Sequence, residues 1–193
     1  MMKRSLLALL SCLLFATTGI QALDTAATQE EVGVLKTSMG TMVIRFYEKD
    51  SPQTVANFKK LVREGFYDGK RFYRVVAGHV IQTGDNQDDN GRPKVKGEFN
   101  SHPFVIGTVG LARNPDPDSG STEVFICLAP RPHLDGKYAA FGELIEGIDV
   151  LHKIGAVEVN EKWLGDAEPK VAFHEPKTPV VIEKATIEKR PAV

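Results

Sequence analysis

Nucleophilic catalysis needs a serine or cysteine beside a histidine and an orienting acid, and no Gly-x-Ser-x-Gly elbow occurs in the 193 residues. Cys127 lies in the apolar run 124–128, where a thiol serves more often as a small hydrophobic filler on a buried strand than as a nucleophile. Metal chemistry needs ligands that spacing brings together. His79, His102, His133 and His174 include no pair three or four residues apart and no His-x-His, so no two are placed side by side by the local chain. Residues 86–91 (NQDDNG) match the first six positions of a calcium loop, but the twelfth is Gly97 where a bidentate glutamate is required, so they read as a solvated turn. No resident metal or cofactor is expected. Arg74 stands apart. Strict alternation puts it on one strand face with Phe72 and Val76, so its guanidinium either reaches the sheet edge or stands on an apolar surface. In the first case it is a surface ion-pair partner, and in the second a permanently charged, rigid hydrogen-bond donor.

The elements that must hold such a donor are short and strand-like. Residues 32–47 read as a hairpin around Ser38-Met39-Gly40, with β-branched and aromatic enrichment in 41–46. Ser51-Pro52 reads as a helix start with a hydroxyl cap, after which Val55, Phe58, Leu61 and Val62 share one face until Gly65. Strands are predicted over 72–76, 80–82, 107–112, 123–128, 139–144 and 180–187, and a second short helix over 147–154. Residues 83–97 read as a polar loop, residues 24–31 as a loose lead-in, and 158–179, broken by Pro169, Pro176 and Pro179, as a long loop or insertion. Many short strands with two helices that do not alternate with them point to a closed or nearly closed antiparallel barrel, not a parallel α/β sheet.

Composition bounds the rest. With 42% hydrophobic and 25% charged residues the chain has the makeup of one globular domain, and a formal charge of −1 leaves no positive field to drive nucleic-acid binding. Met1-Met2-Lys3-Arg4 followed by the apolar run 5–16 has the form of a signal peptide, too short to span a bilayer, with a plausible cleavage point at Ala22. A lipoprotein reading through Cys12 fits less well, because bulky Leu10 precedes it. Cleavage after residue 22 removes Lys3 and Arg4, takes the charge to −3, and leaves Cys127 as the lone thiol, so no intramolecular disulfide is expected. The mature chain is expected to be exported, periplasmic or else secreted, with no membrane attachment.

Several blocks now align in order. Residues 72–85 (FYRVVAGHVIQTGD) resemble the signature of the cyclophilin family of peptidyl-prolyl cis-trans isomerases. Residues 107–113 (GTVGLAR), 120–126 (GSTEVFI), 134–142 (LDGKYAAFG), 147–151 (GIDVL) and 179–182 (PVVI) resemble the blocks that follow, so the resemblance spans 32–188. It implies a mainly β fold, an eight-stranded antiparallel barrel capped by two α-helices, ahead of a tail at 189–193. It also implies rotation about X-Pro bonds. That rotation is slow because twisting the C–N bond forfeits resonance, a barrier of about 18–20 kcal/mol. No nucleophile is needed: the twisted prolyl nitrogen regains its lone pair, so a fixed donor near it stabilises the transition state more than the ground state.

By resemblance Arg74 is that donor, and Gln82 contacts the substrate backbone and helps hold Arg74. Phe125, Val80 and Leu134 form the apolar pocket for the proline ring, although each could equally be core. Arg113 and Asn114 lie along the groove and Tyr138 edges the pocket. His79 stands where the family usually has Phe, His133 where it has Trp or often Phe, and Glu123 where it usually has Gln. The groove is therefore more polar than the family norm, cyclosporin inhibition is expected to be weak, and Glu123, if aimed at Arg74, would pair with it and lower efficiency. The expected partners are unfolded or proline-containing polypeptides, bound by a monomer. The alternative is a binding or chaperone module of the same fold with little turnover. A secreted metallohydrolase, the third reading, would require a bound metal.

Overall fold

The computed structural model describes residues 29–85, 91–166 and 170–192. The expected signal peptide, the first part of the expected lead-in and most of the calcium-like turn lie outside the described residues.

β1 (Gln29–Thr37) and β2 (Gly40–Phe46) form the expected hairpin, and β1 starts three residues before the predicted point because Gln29 to Glu31 pair with the C-terminal strand. α1 (Pro52–Arg63) buries Val55, Phe58, Leu61 and Val62 as their spacing requires. Burying side chains of this size contributes roughly 1.5–3 kcal/mol each. Its N-terminus is not capped by Ser51, whose hydroxyl instead donates to the Ala140 carbonyl at 2.9 Å. Glu98 does that work from a distant loop: its carboxylate accepts from the N–H groups of Gln53 (3.0 Å) and Thr54 (2.8 Å) and from the Thr54 hydroxyl. A carboxylate also suits the positive end of the helix dipole.

β3 (Arg74–Val76), β4 (Val80–Thr83), β5 (Thr108–Leu111), β6 (Val124–Cys127) and β7 (Ala139–Glu146) follow, then α2 (Ile148–Gly155). β3 begins only at Arg74. Phe72 precedes it and packs into the main core, so Arg74 does not share a strand face with Phe72. The stretch predicted as a loop contains two small antiparallel ladders, β8 (Val159–Asn160) with β11 (Glu175–Pro176) and β9 (Trp163–Leu164) with β10 (Val171–Ala172). They build a narrow arm. β12 (Ile182–Pro191) runs through most of the expected tail by pairing with β1.

The eight long strands form one antiparallel sheet in the order β12-β1-β2-β7-β5-β6-β4-β3. Its ends do not join as a ladder. Among the described residues, the gap between β3 and β12 is crossed by an Arg71–Val181 bridge and by bonds such as Phe72 N–H to the Val180 carbonyl at 2.9 Å. The closed barrel of the sequence reading is therefore a half-barrel. The free edge of β3 is covered by the arm, where the Val75 N–H donates to the His174 carbonyl at 2.9 Å. Inside the curved sheet, Met42, Ile44, Phe58, Phe72, Ile81, Ile126, Phe141 and Leu151 form the main core with both helices.

Candidate functional site

Alternation gives the central strands two apolar faces. Ile81, Val109, Val124, Ile126 and Phe141 enter the main core, while Val80, Phe125, Cys127 and Ala140 join Phe104 in a separate cluster on the other side. Leu134 and Tyr138 pack against this second cluster while remaining partly exposed. Val80 and Phe125 thus form the wall of a cleft and not part of the main core. Gly110 makes room for it, since a Cβ there would fall 2.7 Å from Phe104 and closer still to the Phe125 ring. Phe104 stacks on Phe125 at 5.5 Å and Tyr138 meets that ring edge-on at 5.8 Å, arrangements that favour a fixed aromatic floor.

The cleft has a volume of about 490 Å³. All eleven side chains singled out from the sequence line it: Arg74, Gln82, Glu123, the ring pocket of Phe125, Val80 and Leu134, and a rim of His79, His133, Arg113, Asn114 and Tyr138. Register explains the meeting of the polar members. Arg74 is paired with Gln82 across β3 and β4, and Gln82 with Phe125 across β4 and β6. Arg74 Nη1 donates to Gln82 Oε1 at 2.9 Å, and Gln82 Nε2 donates to the Tyr73 hydroxyl at 2.8 Å and to Glu123 Oε2 at 2.9 Å. Gln82 is buried and every end of its amide is engaged. Glu123 therefore reaches Arg74 through Gln82. Gly84 permits this close packing, since its φ is +115° and a Cβ there would fall 2.8 Å from the Glu123 Cα.

Arg74 has a second anchor. Its Nε donates to the Ala172 carbonyl of the arm at 2.8 Å, and its guanidinium carbon lies 5.9 Å from the Phe173 ring centre. Both bonds lock the guanidinium plane while its Nη2 side takes no partner among the described residues. Burial pulls the Arg74 pKa down, opposed by Tyr73, Tyr138 and Glu123, and burial followed by the Glu123 charge raises that of Tyr73.

At the rim, the His79 and His133 rings stack at 6.1 Å. Burial first, then the charges of Arg74 and Arg131, push His79 down to about 4, so it is neutral at neutral pH, and its buried Nδ1 has no hydrogen-bond partner among the described residues. Arg113 bonds the carbonyls of Lys137 and Asn114 and lies 4.6 Å over the Tyr138 ring, which fixes the rim. Cys127 is buried and its thiol is pushed up to about 12 by that burial, as befits a filler. No group of three His, Cys, Asp or Glu side chains able to hold a metal occurs among the described residues.

Sequence reasoning missed Leu164, Gly165, Val171 and Phe173, which complete the cleft from the arm. A signal was present: the apolar residues Trp163-Leu164 and Val171-Ala172-Phe173 interrupt an otherwise polar stretch as two strand-sized pieces.

Known proteins match this arrangement. Residues 33–187 match the family described as Cyclophilin type peptidyl-prolyl cis-trans isomerase/CLD. A probable peptidyl-prolyl cis-trans isomerase of Brucella abortus is 37% identical over 191 residues, covering 90% of this chain and 92% of the relative. The mouse peptidyl-prolyl cis-trans isomerase-like 1 is 36% identical over 136 residues, 66% of this chain and 81% of its own. Among solved structures, a Cryptosporidium parvum cyclophilin type peptidyl-prolyl cis-trans isomerase, crystallised in the presence of the dipeptide Ala-Pro, shares the fold with a TM-score of 0.71. It is 21% identical, with 82% of this chain and 99% of that one covered. A cyclophilin from Hirschia baltica gives a TM-score of 0.64 at 22% identity, covering 82% and 76%. With a family match over most of its length and a relative at this identity across nearly the whole of both chains, the protein belongs to the cyclophilin-type peptidyl-prolyl cis-trans isomerases, enzymes that rotate X-Pro bonds.

Proposed function

We propose that the mature protein is an exported, monomeric, cofactor-free isomerase that acts on extended or unfolded proline-containing chains, assists folding in the periplasm, and binds neither nucleic acid nor membrane. Arg74 is the catalytic donor. The proline ring enters the pocket of Phe125, Val80 and Leu134, and the flanking backbone lies along the rim of Arg113 and Asn114. As the C–N bond twists, the prolyl nitrogen becomes pyramidal and its lone pair accepts from the free side of the Arg74 guanidinium. The donor meets an acceptor that exists only in the twisted state, so the interaction lowers the barrier without tightening the ground state. Arg74 carries this reading because two bonds already fix it beside an apolar pocket, so it need not reorganise during the rotation.

The test is isomerisation of a short Ala-Pro peptide by the mature protein, with Arg74→Ala alongside. Removal of one preorganised donor typically lowers kcat by about 10²–10³. A variant within two-fold of the unaltered enzyme would overturn the assignment. The Glu123–Gln82–Arg74 chain of bonds favours a second reading, a binding module with little turnover, which would show peptide binding with no isomerisation. Export is supported by the basic start and apolar run of residues 1–16, and N-terminal sequencing of protein recovered from the periplasm should begin near residue 23.

A further inference from the structure

The arm is joined to the catalytic face more closely than a surface insertion requires. It lies along the edge of β3, with the Val75 N–H donating to the His174 carbonyl, and its Ala172 carbonyl takes the Arg74 Nε at 2.8 Å. Phe173 fills the angle between them. Its ring stacks on Tyr73 at 5.8 Å and stands 5.9 Å from the Arg74 guanidinium carbon. The Phe173 N–H donates to the Lys162 carbonyl at 2.7 Å, which holds this residue in the arm's own ladder.

The same ladder aims two more side chains at the cleft. Leu164 and Val171 are cross-strand partners, so they share one face of the arm, and both line the cleft beside Arg74. Trp163 and Ala172, the neighbouring pair, take the opposite face, where Trp163 meets His174 edge-on at 5.0 Å. Val171 is 54% exposed and lines the cleft, so an apolar surface there is open to whatever enters it. The ring pocket and the fixed guanidinium line the same cleft, so a peptide whose proline fills the pocket carries a neighbouring side chain past the arm.

We propose that the arm is a working wall of the groove: Ala172 and Phe173 position Arg74, and Leu164 with Val171 form an apolar subsite that selects substrates bearing a bulky apolar residue next to the proline. This rests on the isomerase reading and deepens it by naming a class of client sequence. Phe173 is a positioning residue, acting through the orientation of Arg74. Leu164 and Val171 touch substrate and affect its choice.

The experiment uses the mature protein and a set of peptides in which the residue before or after proline is alanine, leucine or phenylalanine. The readout for the subsite is the ratio of kcat/KM for the bulky peptide over its alanine counterpart. In the unaltered enzyme this ratio should exceed one at one of the two positions. In Leu164→Ser/Val171→Ser it should fall about five-fold at that position, since a shared apolar contact is lost. Val171→Thr, which keeps the shape of the arm, should lower it in the same direction. For Phe173, the Ala variant should lower kcat for all peptides alike with little change in KM, and Phe173→Tyr should restore it. A ratio unmoved by both subsite variants, or a Phe173→Ala enzyme with full kcat, would overturn the arm's role while turnover stands. Absence of turnover in the unaltered protein would instead remove the isomerase reading and this one with it.

Discussion

Glu123 and Arg74 meet through the two ends of one amide. Gln82 donates to the Glu123 carboxylate and accepts from the guanidinium, so the anion steadies Gln82 but also offsets the positive field that the proposed mechanism asks of Arg74. Glu123→Gln keeps an acceptor for Gln82 and removes the charge. It should raise kcat/KM on the Ala-Pro peptide by roughly two- to five-fold, a change of under about 1 kcal/mol in the barrier, and unchanged or lower activity would count against this. His79 supplies a pH effect with a definite sign. Its folded pKa of about 4 lies below the usual 6.5, so between those values the unfolded chain binds more protons and stability rises with pH. The contribution is complete above pH 6.5 and is lost as pH falls toward 4. His79→Phe removes it and fills the place of a buried Nδ1 that has no partner among the described residues. The urea midpoint of that variant should fall less between pH 7.5 and 5 than that of the unaltered protein, and equal drops would refute the assignment.

At the scale of elements, α1 shows how a local signal can name the right element and the wrong cap. Ser51-Pro52 marks the helix start, yet the Ser51 hydroxyl is drawn to the Ala140 carbonyl on β7 and Glu98 takes over the helix N–H groups. Glu98→Ala should cost about 1–2 kcal/mol of stability, the usual loss of a cap, read as a lower urea midpoint at unchanged slope. Losing less than 0.5 kcal/mol, on the order of an ordinary surface change, would show the cap to be idle. The arm makes the complementary point. Its two-residue strands are too short for any periodicity to be legible, and they persist because β3 offers an unpaired edge and Arg74 a donor.

For the molecule as a whole, the sheet's two faces are divided in use: one side holds the core and both helices, the other the apolar wall of the cleft proposed to take proline. Cys127 belongs to the second cluster but lies fully beneath it, with its thiol pushed up to about 12. In the mature, folded protein a thiol reagent should therefore label Cys127 only at the rate of unfolding, and at once in urea. Rapid labelling of native protein would mean that the pocket floor opens on its own.

Sequence alone determined the order of the eight sheet strands and two helices, carried a signal-like N-terminal pattern and, through blocks that resemble one family, named eleven of the side chains that line the cleft. These were legible because period-two alternation and turn residues are local properties, and because each block carries its own spacing. Arg74, Gln82 and Phe125 could be named together although no spacing in the chain predicts their contact. Tertiary structure decided what depends on partners distant in the chain: a half-barrel instead of a closed one, the cap from Glu98, the route from Glu123 to Arg74 through Gln82, and the wall from residues 164–173. The physical reason is common to all four. A hydrogen-bonding group takes the partner that folding brings nearest, and Arg74 and Ala172 lie 98 positions apart in the chain yet 2.8 Å apart in space.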